Sequence, residues 1–212
     1  MAGVAVGPLL DAVARAVPVG EPVLPLRRPT ALTVAVSLAS GALGTLVAAQ
    51  LGMSWQLPAQ LWLAGLAVVL TVTDLQHQRL PNRILLPGGA GLAALVVVTA
   101  LAEGRPTALV GAGFGAAALF ALFLLAALLS PAGMGMGDVK LAGVLGLLLG
   151  YGGLAVVVLG MLVAFVVHAV VSLVFVLSRR AGRRTALPFG PALLLGAAVA
   201  LGWFTPLAAV LR

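Results

Sequence analysis

From Val139 to Leu177 the chain runs 39 residues with Lys140 as its only formal charge. As one helix this stretch would be about 58 Å long, nearly twice the roughly 30 Å hydrocarbon core of a bilayer. It is too apolar for water and too long for a single crossing, so it must break. Gly150-Tyr151-Gly152-Gly153 is the only cluster of helix breakers inside it. The expectation is a short fifth helix over about Val139 to Leu149 and a full sixth over about Leu154 to Leu177.

The other apolar runs cover about Thr30 to Leu51, Pro58 to Asp74, Ile84 to Ala102, Thr107 to Leu129 and Ala192 to Val210. Each is near the length of about 20 residues that a crossing needs. The chain is 62% hydrophobic and 8% charged, where a soluble domain has about 25% charged residues. These features predict an all-α fold, a polytopic membrane helix bundle of about seven transmembrane helices. Residues 1–29 carry Asp11, Arg15, Glu21, Arg27 and Arg28 among prolines, and their apolar runs are too short to span. They are expected to form a flexible or membrane-surface arm, with 30–212 as the transmembrane domain.

Twelve basic residues against five acidic ones give a net charge of +7. The arginines sit at the ends of apolar runs, so membrane topology explains the excess and a nucleic-acid partner is not needed. If the fifth helix crosses, one side receives Arg15, Arg27, Arg28, Arg79, Arg83, Lys140, Arg179, Arg180, Arg183 and Arg184, and the other only Arg105 and Arg212. If it turned back, the four-arginine loop would fall outside, against the positive-inside rule. The expected topology is seven spans in the plasma (inner) membrane, N-terminus cytoplasmic and C-terminus outside. With no cysteine in the chain, disulfides, a thiol nucleophile and cysteine-ligated metals are excluded. His77 and His168 stand far apart in sequence, so neither a metal nor a cofactor is expected.

Between two apolar segments lies Gly133-Met134-Gly135-Met136-Gly137-Asp138-Val139-Lys140. A carboxylate costs a few kcal/mol to place in hydrocarbon and usually faces a bundle interior or a wet cavity. Irregular backbone at that depth carries the same requirement. Asp74 is the one other acid in a comparable position beside an apolar segment. In the seven-span topology both stand at the cytoplasmic end. Two neighbouring carboxylates share a proton and titrate as a pair. One can then activate a water while the other protonates a carbonyl or leaving amine. On spacing alone, a proton relay or a helix-packing hydrogen bond is an equal reading.

The surrounding residues favour the first. Gly135-Met136-Gly137-Asp138 is the GxGD signature of intramembrane aspartyl proteases. Together with Asp74-x6-Pro81-Asn82, the Asp138-x-Lys140 continuation and Pro188-Phe189-Gly190-Pro191, it closely resembles the prepilin peptidase (type IV leader peptidase) family. The resemblance runs from about residue 58 to 200. It implies a membrane hydrolase of type IV pilus and type II secretion systems that cleaves the basic leader of prepilins or pseudopilins after a glycine, on the cytoplasmic side. It also implies that Asp74 and Asp138 are the catalytic pair. Bifunctional members have a domain with paired Cys-x-x-Cys zinc motifs associated with N-methylation. A chain with no cysteine resembles a short, peptidase-only form.

Each neighbouring residue also has a plainer role. Lys140 is expected to meet lipid phosphates, Arg79 and Arg83 to act as topology signals, and Asn82 to cap the third helix. His77 reads as a solvated loop residue and His168 as a hydrogen-bond partner of a neighbouring helix. Presenilin-like proteases share GxGD, and Pro191-Ala192-Leu193 matches their Pro-Ala-Leu motif. They have a tyrosine where Thr73 stands here, however, and the Pro81-Asn82 loop favours the prepilin group. A proton-coupled transporter would show internal repeats or paired broken helices, and only one interrupted segment is present. A non-catalytic assembly protein of a pilus or secretion machine is the remaining alternative.

Overall fold

The computed structural model of the chain describes residues 31–77, 80–129, 134–178 and 188–202; for 31–40 and 76–77 only the backbone is described. The arm expected over residues 1–29 lies outside them, as do the four-arginine loop and the chain beyond Gly202. Seven helices are present among the described residues: α1 (Ala31–Leu51), α2 (Leu57–His77), α3 (Asn82–Ala102), α4 (Ala108–Leu129), α5 (Met136–Gly152), α6 (Leu154–Leu177) and α7 (Gly190–Ala200). The polytopic membrane helix bundle expected from the apolar runs is the fold. Helices are the natural outcome for such runs, because in hydrocarbon every backbone N–H and C=O must be satisfied within its own segment. Among the described residues, the spans within α2, α3, α4 and α6 are long and apolar enough to cross a membrane.

The breaks are local and chemically specific. Gly104 follows α3 with φ +65°. Its N–H bonds Leu101 O while the Arg105 N–H bonds Ala100 O, a Schellman closure that needs glycine at the left-handed position. Between α5 and α6 the chain turns at Gly153 alone, φ +108°. This corrects the fifth helix expected over Val139–Leu149. It starts three residues earlier and ends three later, and its 17 residues rise about 25 Å.

Gly150, read as a breaker, is helical for a packing reason. α4 and α5 cross through Gly111 and Gly115 on one side and Gly146 and Gly150 on the other. A Cβ on Gly115 would stand 2.8 Å from the Gly150 Cα, and one on Gly146 would stand 2.7 Å from the Gly115 carbonyl carbon. Only bare backbones fit at that separation. Helices in lipid gain little from hydrophobic association, so such close approach is a main source of their cohesion. α6 and α7 cross in the same manner, where a Cβ on Gly196 would stand 2.8 Å from the Ala164 nitrogen.

α5 is the hub, packed against α3, α4, α6 and α7. The core between it, α2, α3 and α7 is built from fully buried leucines: Leu63, Leu70, Leu85, Leu92, Leu141, Leu145, Leu149 and Leu193. Outward faces of α4 and α6 present Phe114, Leu122, Leu162 and Val174, as lipid-facing helices should.

α3 and α5 are joined at both ends. Near their starts Lys140 Nζ donates to Asn82 Oδ1 at 2.8 Å, and near their ends the Tyr151 hydroxyl donates to Glu103 Oε2. Eleven residues of α5 rise about 17 Å between these two bonds. α5 therefore runs alongside α3 from one end of the bundle to the other. It does not turn back.

Candidate active site

Three helix ends and one loop meet at the end of the bundle where α3 and α5 begin. α2 brings Thr73 and Asp74, both buried. Thr73 Oγ1 donates to Val69 O at 2.7 Å, so its hydroxyl is satisfied within its own helix and does not compete for Asp74. The Asp74 side chain is 5% exposed, and its Oδ2 is sealed from solvent with no hydrogen bond of good geometry. A buried carboxylate oxygen without a partner is costly. Such an atom is a place to look for chemistry.

α5 supplies Asp138 at the third position of its first turn, after an N-cap at Gly135 whose backbone is extended. The Asp138 amide donates to Gly135 O at 3.0 Å, and the Gly135 N–H faces the Asp138 carboxylate. An acid at this third position, facing the N-cap amide, is the acidic half of a capping-box arrangement. It fixes the half-buried Asp138 side chain at the head of its helix. α7 supplies Gly190, whose N–H faces the Asp74 carboxyl group. A Cβ there would stand 2.6 Å from Asp74 Oδ2. Asp74 and Asp138 lie within electrostatic reach of one another, so the two acids singled out from sequence do meet at one end.

Leu80 was not singled out, yet it closes the site. A Cβ on Gly137 would stand 2.8 Å from the Leu80 Cβ, and one on Gly190 would stand 3.7 Å from Leu80 Cδ1. Gly137 is thus a point of close approach and not a loosened stretch of backbone, since it lies inside α5. The only signal in the sequence was one apolar residue just before Pro81 in an otherwise polar loop.

Several neighbours differ from expectation. Asn82 does not cap α3: the N-cap is Pro81, with no side-chain cap bond, and Pro81 O takes the Ile84 and Leu85 amides. Asn82 stands one position inside the helix, where its amide oxygen is free to accept Lys140. Within the protein, Lys140 takes this asparagine as its partner. His168 meets the Phe189 ring edge-on at 4.5 Å, in place of the hydrogen bond to another helix. Phe189 also packs on Phe123 and Phe165, with ring centres at 5.8 and 5.5 Å. Pro188 precedes it, half-buried, and Pro191 occupies the first turn of α7. The His77 side chain and Arg79 lie outside the described residues.

At the far end of the bundle, the Glu103 carboxylate that accepts from Tyr151 also has Arg105 3.8 Å away. The Arg105 guanidinium stands 5.7 Å from the centre of the Tyr151 ring. This cluster is remote from the two aspartates and closes the opposite end of the α3–α5 pair.

A model of the type IV leader peptidase family matches residues 61–177, more than half of the chain and inclusive of both aspartates. A "Prepilin leader peptidase/N-methyltransferase" of Stutzerimonas stutzeri is 37% identical over 169 residues, 79% of this chain and 57% of that protein. Proteins of the same name from Pseudomonas aeruginosa and Bacillus subtilis are 34% and 30% identical, over 79% and 78% of this chain and 57% and 64% of theirs. The chain therefore spans less than two thirds of the length of these relatives. No solved structure matches it.

Proposed function

The chain belongs to the type IV leader peptidase family, and on that premise we propose that it is a membrane-embedded aspartic endopeptidase with Asp74 and Asp138 as its catalytic pair. Its substrates are type IV prepilins or pseudopilins, whose leader peptide it removes at the cytoplasmic face of the inner membrane. The observation that carries this reading is the meeting of two carboxyl groups, one buried and one half-buried, within electrostatic reach at one end of an apolar bundle.

The chemistry follows from that pairing. Two carboxyl groups so placed hold one proton between them. The ionised member takes a proton from water, whose oxygen attacks the scissile carbonyl carbon. The protonated member donates to the carbonyl oxygen as the tetrahedral intermediate forms. Collapse re-forms the carbonyl and breaks the C–N bond: the leaving amine takes the proton that the base received, and the hydroxyl proton returns to the carboxylate that gave it, restoring the one-proton pair. Burial of the Asp74 carboxyl group lowers the local dielectric around it, which strengthens its charge interactions.

The topology is part of the proposal: N-terminus and site cytoplasmic, C-terminus outside. The run of α5 from the site to the Glu103 end supports it. It leaves Lys140 and the four arginines after α6 on one side, in accord with the positive-inside rule. The 212 residues contain no cysteine, which supports peptidase activity without methyl transfer. The test is cleavage of a prepilin by the purified protein in detergent or liposomes. Cleavage that is lost in both Asp74→Asn and Asp138→Asn upholds the reading. An intact prepilin, or cleavage that survives either substitution, removes it in favour of a relay or an assembly role.

A further inference from the structure

Of the first three residues of α7, two have no amide to offer a carboxylate. Ala192 and Leu193 both bond Phe189 O at 3.1 Å, and Pro191 has no N–H. Gly190 is left, and its N–H faces Asp74. From the other side, Asp74 is 5% exposed and its Oδ2 lacks a well-formed hydrogen bond. A buried, under-satisfied carboxylate thus faces the first amide of a helix end whose dipole favours negative charge.

The same glycine leaves the carboxylate its room. Its missing Cβ would fall 2.6 Å from Oδ2 and 3.3 Å from Cγ, distances at which something must shift. Gly190 is in turn held by its neighbour. The Phe189 ring is wedged among Phe123, Phe165 and His168, so the start of α7 cannot slide to accommodate a larger residue.

We infer that Gly190 is a positioning residue of the aspartate pair, setting the Asp74 carboxylate against Asp138 through its backbone N–H and the space its missing side chain leaves. The inference rests on the proposed function for its catalytic meaning, but its physical core is a contact that can be measured without catalysis.

Two measurements test it. In cleavage, Gly190→Ala should lower kcat about a hundredfold, the scale expected when a reacting group is displaced by about 1 Å, while KM changes less than threefold. In detergent, the thermal unfolding of Gly190→Ala, Asp74→Ala and the double variant forms a cycle that is independent of activity. Loss of the carboxylate removes the clash, so the Tm drop caused by Gly190→Ala should largely disappear in the Asp74→Ala background. If Gly190→Ala fails to accumulate, the double variant should accumulate. Cleavage by Gly190→Ala within threefold of wild type would overturn the inference. So would additive Tm losses, or failure of the double variant to accumulate alongside the single. If the wild-type protein cleaves no prepilin, the proposed function falls, and the Tm cycle still decides whether Gly190 and Asp74 act on each other.

Discussion

Lys140 Nζ donates to Asn82 Oδ1 at 2.8 Å across 58 residues of sequence. The bond ties the first turns of α5 to the start of α3. Asp138 is two residues before the donor, and the loop from Asp74 ends at the acceptor. Two segments that each present an aspartate are thereby clamped at the same level. A neutral acceptor is a better clamp here than an acid would be, because a third carboxylate would bring a further negative charge beside the pair.

Breaking that clamp should loosen the pair without removing it. Asn82→Ala and Lys140→Ala should each lower prepilin cleavage roughly three- to tenfold, the scale of one partly exposed charge-assisted hydrogen bond. The double variant should be no slower than the worse single. A double variant slower by the product of both effects would mean that the two side chains act separately.

The aspartates themselves should behave as a unit. Asp74→Asn and Asp138→Asn should each abolish leader cleavage while the protein still inserts, and the double variant should be no worse than either. Residual cleavage is read from the ratio of mature to precursor prepilin on a gel. Substantial activity in one single variant would assign the chemistry to other groups.

How far the sequence reached depended on whether a feature was local. Asp74 and Asp138 were legible because each is an acid beside an apolar run, a placement with a cost that can be read from neighbours alone. The helices were legible for the same reason. The far end of α5 was not, because Gly150 looks like a breaker until the partner glycines Gly111 and Gly115 are placed opposite it. Asn82 has the chemistry of a cap, but the chain enters α3 at Pro81, and only the tertiary fold supplies Lys140 as its partner. Leu80, one more leucine in a leucine-rich chain, gains its meaning from contact with two glycines on different helices.

That crossing makes a stability prediction. Gly146→Val places a branched side chain against the backbone of Gly115 and Ala116, with no flexible side chain there to yield. Overpacking typically costs roughly 1–3 kcal/mol, and backbone against backbone should stand at the high end or beyond. The variant should show a lowered Tm in detergent or fail to accumulate. Gly113→Ala is the control, since a Cβ there meets nothing within 4 Å, and it should be neutral or slightly stabilising.

Topology can be read with single cysteines, because the native chain has none. Met53 is fully exposed between α1 and α2, and Thr107 is exposed at the start of α4. Cysteines at these two positions should react with an impermeant maleimide only from outside. Cysteines at Met136, exposed at the head of α5, and at Gly182, between Arg180 and Arg183, should react only once the cytoplasmic face is opened. External labelling at Gly182 would reverse the orientation assigned to α6 and α7.

The relatives from Stutzerimonas stutzeri and Pseudomonas aeruginosa are named as both peptidases and N-methyltransferases, and this chain aligns with 57% of each. Its 212 residues hold no cysteine with which to build a thiolate zinc site. The purified chain, given a prepilin and S-adenosylmethionine, should therefore release a mature pilin with a free, unmethylated N-terminus. Cleavage should proceed at the same rate with or without a zinc chelator, because the proposed nucleophile is a water activated by a carboxylate. Mass spectrometry of the mature product decides the first point, since one methyl group adds about 14 Da. A methylated terminus made by the purified chain alone would locate methyl transfer within the 212 residues and separate that activity from cysteine-bound zinc.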